Sequence, residues 1–225
     1  MAEAVLLFVN HGADVTALDI THLTPLHLAS LRGVPEAIRI LIEHGADVNA
    51  QNETNLTPLH MASLVGNTEG VQLLIKHGAD VTSKDWNLKT PLHFASSWVS
   101  SDTASFIFQL KAEVNEQEVE IQGHMANPAT TPNAKANIVR LLIKHGADVT
   151  AQDKTLWTAL HMASSLGLIE SVRTLIGHGA DVNAQNETDL TPLHQVASPV
   201  RNTIASFLNH RRTVHVDRTI CISGQ

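Results

Sequence analysis

The 225-residue chain has one cysteine, Cys221, and no tyrosine. A lone thiol excludes an internal disulfide framework and points to a reducing, intracellular compartment, cytoplasmic or nuclear. No apolar run reaches the ~18 residues of a membrane-spanning helix. The opening stretch "MAEAVLLFVNHGADV" has no basic lead and no small-residue cleavage site, so it is not read as a secretory signal. Basic residues are few: 15 Lys and Arg against 22 Asp and Glu give a net charge of −7. A phosphate-backbone binder carries a basic stripe. Here the one basic cluster is Arg201, Arg211, Arg212 and Arg218, so nucleic acid is not the expected partner. Catalytic signatures are missing too, among them G-x-S-x-G, G-x-x-x-x-G-K-[ST] and G-x-G-x-x-G. So are a Cys pair and H-E-x-x-H. No enzyme activity, cofactor, metal site or small-molecule substrate is expected.

What is present is repetition. "HGADV" starts at His11, His44, His77, His145 and His178, with intervals of 33, 33, 68 and 33 residues. A second tag, "TPLH", starts at Thr24, Thr57, Thr90 and Thr191, with "TALH" at Thr158. From Thr24, Thr57 and Thr158 the next "HGADV" follows 20 residues on.

The doubled interval has two readings, an insertion or a worn repeat. Twenty residues on from Thr90 lies Leu110, where "LKAEVNEQ" aligns with "HGADVTSK". The following "HMAN" at His124 matches "HMAS" at His60 and His161. The sequence therefore predicts two decayed units there, the second with a loop lengthened around "NPATTPN". The array then has a half unit at 1–18 and full units at 19–51, 52–84, 85–117, 118–152 and 153–185. A last unit covers 186–217, and 218–225 form a tail.

Each unit reads as two antiparallel helices and a hairpin-like loop. The Thr of "TPLH" caps the first helix and Pro suits its first turn. Leu26, Leu59, Leu92, Leu160 and Leu193 face the core. Ala29, Ala62, Ala95, Ala126 and Ala163 permit close helix approach. Gly33, Gly66 and Gly167 suit a left-handed stop. A single unit cannot cover both its apolar faces, so neighbours must. The half unit at the N-terminus lacks a partner helix and is expected to exchange its amides fastest. The chain is expected to be monomeric; alternatively it is one segment of a larger protein with an enzymatic or membrane domain elsewhere.

The tags resemble the ankyrin-repeat family, a 33-residue unit marked by T-P-L-H-x-A, here in an expanded array of the fungal type. The resemblance implies an all-α solenoid and a non-catalytic scaffold for another protein. It departs at one position. The family commonly has Gly two residues before the Thr, where φ is positive. This chain has His22, Asn55, Leu88, Leu156 and Asp189. Leucine disfavours that conformation, so the loops at Leu88 and Leu156 must take another turn or carry strain.

The resemblance also places partner contacts on the concave side, at loop tips and first helices. The corresponding positions are Ile20, Leu23, Leu31 and Arg32; Glu53, Leu56, Leu64 and Val65; and Trp86, Asn87, Lys89 and Trp98. Lys154, Trp157 and Leu166, then Glu187 and Leu190, complete the set. All three tryptophans of the chain fall within it. Trp86 and Trp157 are expected to be exposed anchors. Asn49, Asn115 and Asn183 match asparagines that some family members hydroxylate; they are read here as unmodified loop residues.

Histidine is abundant, 14 in all. Stacked units place equivalent residues roughly 10 Å apart, whereas zinc ligands converge to about 2 Å from one metal. The repeated histidines are therefore expected to be structural. The resemblance implies that each "TPLH" His bonds its Thr and the backbone of the next unit. The "HGAD" His sits at a helix end, where the dipole favours it.

Overall fold

The computed structural model describes residues 2–97 and 132–195. Its helices are α1 (Ala2–Asn10), α2 (Pro25–Leu31), α3 (Pro35–Glu43), α4 (Pro58–Leu64) and α5 (Thr68–Lys76). They continue with α6 (Pro91–Ala95), α7 (Pro132–Lys144), α8 (Ala159–Leu166) and α9 (Ile169–Gly177).

Each first helix starts at a threonine in extended backbone, Thr24, Thr57, Thr90 or Thr158, with a reciprocal capping arrangement. Histidine takes the place usually held by Glu or Gln. Thr24 N–H donates to His27 Nδ1 at 3.1 Å, and the Thr24 hydroxyl lies 2.9 Å from the same nitrogen. The first helices α2, α4 and α8 stop near Gly33, Gly66 and Gly167, which have φ of 65°, 76° and 69°. Second helices end in the "HG" pair, where Nδ1 of His44, His77 and His178 bonds the carbonyl four residues earlier.

The helices stand in two columns. First helices run α2–α4–α6–α8, and second helices run α1–α3–α5–α7–α9, each packing on the next. Leu26, Leu59, Leu92 and Leu160 are completely buried between them, with Ile38, Leu74, Leu142 and Leu175. Burying one such side chain contributes ~1.5–3 kcal/mol. Ala29, Ala62, Ala95 and Ala163 are buried where the columns meet. At the end of the outer column, α1 has no buried residue, and Leu7 and Phe8 are exposed.

Of the two units expected at 85–117 and 118–152, residues 98–131 lie outside the described residues. The described residues hold one helix pair there, α6 with α7. α6 packs against α4 and α8, and α7 against α5 and α9. Hydrogen bonds fix the same register. His27 and His60 each bond a carbonyl 29 positions on, Leu56 and Lys89, whereas His93 bonds Trp157, 64 positions on. Among the described residues, the helix that pairs with α6 is the one ending at the "HGADV" of His145. Leu110, Asn115, Gln117, His124 and Ala126 lie outside the described residues.

The interrupted unit has its own terminator. Thirty-three positions on from Gly66 stands Val99, so the usual glycine is missing. α7 begins a turn earlier than α5, and its first turn carries Lys135. The Lys135 ammonium is buried and donates to the carbonyls of Leu64 (2.6 Å), Ser97 (2.8 Å), Phe94 (3.1 Å) and Ser63 (3.3 Å). One cation thus closes the carboxyl ends of both α4 and α6, where helix dipoles favour positive charge. Burial pushes its pKa down to about 7. Val34, Asn67 and Leu168 hold the same position in the other units.

Candidate functional site

The tips of the hairpin-like loops form a row, each built on one carboxamide or carboxylate. Asp19, Asn52, Asp85, Asp153 and Asn186 recur with the period. Each Oδ1 accepts from the amides two and four residues on, for instance Asp85 from Asn87 (2.9 Å) and Lys89 (2.7 Å). Burial pushes the Asp85 carboxyl up, against the pull of these two amides. Their spacing in the sequence was a usable signal for the tip framework, which the tag pattern alone did not reveal.

Neighbouring tips are joined by backbone. Trp86 N–H donates to Thr54 O (3.0 Å), Lys154 N–H to Asn87 O (2.9 Å), and Glu187 N–H to Thr155 O (3.1 Å). The second of these bonds spans the interruption. His22 and Glu53 pair across the first junction at 3.3 Å. Beneath the row, Nε2 of His27, His60, His93 and His161 donates to a carbonyl of the next unit at 3.0–3.2 Å. A carbonyl only accepts, so Nε2 carries the hydrogen and Nδ1 takes the threonine amide. The rings are neutral, and burial pushes the pKa of all four down, His60 to about 4. Among the described residues, no group of three or more His, Cys, Asp or Glu is placed to hold a metal ion.

A family model described as ankyrin repeats (3 copies) matches residues 1–85, 50–118 and 129–186. The chain belongs to the ankyrin-repeat family. The second matched span contains the expected unit at 85–117, and the third begins at 129. No curated protein matches the chain. In this ankyrin array, as the resemblance implied, His27, His60, His93 and His161 each tie their own threonine to the following unit.

The candidate contact residues divide by depth. Ile20, Arg32, Glu53, Trp86, Lys154, Glu187 and Leu190 are exposed; Trp86 keeps 60% of its surface and Ile20 73%. Leu31, Val65, Asn87, Lys89, Trp157 and Leu166 are half-buried. Leu23, Leu56 and Leu64 are buried and join Met61 and Phe94 in a second apolar cluster, so they shape the surface from beneath. Trp157 is not the open anchor its position implied, because its ring lies 5.7 Å from that of His161. Trp98 lies outside the described residues. Asn49 is committed at both ends: Nδ2 donates to Gly78 O at 3.0 Å and Oδ1 accepts from Asp80 N at 2.8 Å. Asn183 is exposed.

Two members of the surface were not assigned from the sequence. Leu88 and Leu156 take the positive φ expected of glycine, 63° and 61°, and so carry the backbone strain. Both side chains project into solvent, 42% and 43% exposed. Lys154 sits over the Trp86 ring, its Nζ 5.6 Å from the centroid, joining the two tips that flank the interruption.

Proposed function

We propose that the chain is a non-catalytic scaffold that binds a partner protein through its loop tips and the adjoining first helices. Ankyrin repeats are in general protein–protein interaction modules and are typically non-catalytic. No helix among the described residues is long and apolar enough to cross a membrane. The observation that carries the reading is the contrast between frame and surface. Threonine, histidine and the Asp/Asn of the tip recur from one full unit to the next, whereas the exposed residue after that Asp/Asn varies: Ile20, Glu53, Trp86, Lys154 and Glu187. The most exposed tip tryptophan, Trp86, stands on a loop held by three backbone-directed bonds, to Thr54 O and to Asp85 from two amides. A rigid aromatic on an ordered loop loses little entropy on binding, which is the usual character of an interface anchor.

The test is affinity capture with the intact chain and with Trp86→Ala, alongside far-UV circular dichroism. Partners held by the wild type and lost from the variant, with unchanged helix content, support the surface. Equal retention rejects it. Because the half-buried Trp157 ring lies against that of His161, Trp157→Ala is expected to disturb folding as well and is the weaker probe.

A further inference from the structure

Resting on that reading of the tips, we propose that the two tips flanking the interruption form one recognition patch for an extended protein segment carrying a single acidic residue beside apolar side chains. The patch comprises Trp86, Leu88, Lys89, Lys154 and Leu156. Three observations converge on it. The first is strain without structural return. At the position where the other units place His22, Asn55 and Asp189, these two place leucine at positive φ. A left-handed leucine costs about 1–2 kcal/mol, and each is more than two-fifths exposed, so burial does not offset that cost. Strained residues that no packing explains cluster at binding sites.

The second is charge. On these two tips the acids are Asp85 and Asp153, both buried and with Oδ1 turned onto their own loop amides. Facing outward are Lys154, Thr155 and three large apolar groups, Trp86, Leu88 and Leu156, with Lys89 half-buried beside them. The patch is thus locally cationic on a chain of net charge −7. The third is its boundary. The next tips on either side carry Glu53 and Glu187, both exposed. They repel an acid placed beyond the patch, so the charge complementary to the row is one acidic residue near its centre. A phosphate backbone, with negative charge at every step, does not fit between flanking carboxylates.

Lys154 over Trp86 orders the site before binding. An incoming carboxylate meets a cation already held over an aromatic face, and the apolar neighbours of that acid meet Leu88 and Leu156. Such a pair contributes more to selection and to association rate than to raw affinity.

The test uses a displayed library of short random peptides selected on the full chain, with dissociation constants measured for the enriched sequences. The expected result is a consensus of Asp or Glu beside apolar residues. Trp86→Ala weakens it by at least about tenfold, and Lys154→Glu weakens it by roughly threefold to tenfold and shifts selection toward Lys or Arg. The double variant Leu88→Gly with Leu156→Gly melts at a higher temperature yet binds the consensus more weakly. Opposite signs in stability and affinity are what a structural role for the leucines does not produce. Peptides that require Trp86 but carry no acid overturn the acidic reading and leave the tips as a binding surface. Peptides indifferent to Trp86, or no enrichment at all, overturn both.

Discussion

The 52–84 unit and the interrupted unit after it reach the same stacked geometry with different residues. In the first, Gly66 turns left-handed, α5 follows at once, and Asn67 caps it by accepting from the Gly70 amide at 3.0 Å. In the second, 34 residues, 98–131, separate the described parts of one storey. There the buried Lys135 ammonium gathers the helix-end carbonyls instead. Yet the surfaces offered to neighbours match: Leu59 and Leu92 are equally buried, and His60 and His93 each bond the next unit at 3.2 Å. A storey of a solenoid is defined by the faces it presents to its neighbours. Chain continuity between its two helices is secondary, because stability is a sum over units and interfaces.

The sharpest way to break the equivalence is at Lys135. Lys135→Glu places a carboxylate among four carbonyl oxygens and is expected to cost roughly 3–5 kcal/mol. Urea denaturation reads the total, and amide exchange should show the loss centred on α4, α6 and α7. A loss no greater than that of a surface substitution would mean that Lys135 does not close the two helix ends.

Acid should act on both units through the same group. His60 titrates at about 4 when folded against 6.5 when free. On acidification the unfolded chain takes up the proton first, so stability is complete above 6.5, falls between 6.5 and about 4, and levels off below. From this residue alone the loss is about 3 kcal/mol. His60→Gln keeps a side chain able to complete the threonine cap and should flatten that share of the pH profile. His93→Gln should do the same in the interrupted unit, whose histidine is lowered for the same reason, burial. A profile unchanged by either variant would contradict the neutral, carbonyl-bonded ring.

Smaller effects test the tips and the interruption itself. Leu88→Gly relieves a positive φ of 63° and should stabilise the protein by about 1 kcal/mol, measured as a shift in the denaturation midpoint. Replacing residues 98–134 with the Val-Gly pair that follows Leu64 should change stability least of all, within about 1 kcal/mol. Unfolding should remain a single transition. If that replacement removed the coupling between α6 and α8, the closed columns would be the wrong description.

The tip surface was only partly legible in the sequence. Position within the repeat found Trp86, Ile20, Glu53 and Lys154, which are exposed, because the period fixes which residue stands at a tip. It also named Leu23, Leu56 and Leu64, which are buried, since depth depends on what the adjoining unit lays over them. Leu88 and Leu156 were recognised as departures from glycine without being placed on the surface. Lys135 gave no sign at all, since it stands where its equivalents are Val34, Asn67 and Leu168, and only the neighbouring helix ends explain it.

By itself the sequence determined what is settled within about one unit's length: the Thr-Pro helix starts, the glycine stops, the helix pairs and the capping histidine. These depend on bonds between residues three to five apart, which a linear pattern encodes directly. The tertiary structure alone decided which unit stands on which. The stacking surfaces are nearly the same in every copy, so the 68-residue interval does not say which described helices meet across it. That is decided by the meeting of His93 with Trp157, and of α7 with α5 and α9.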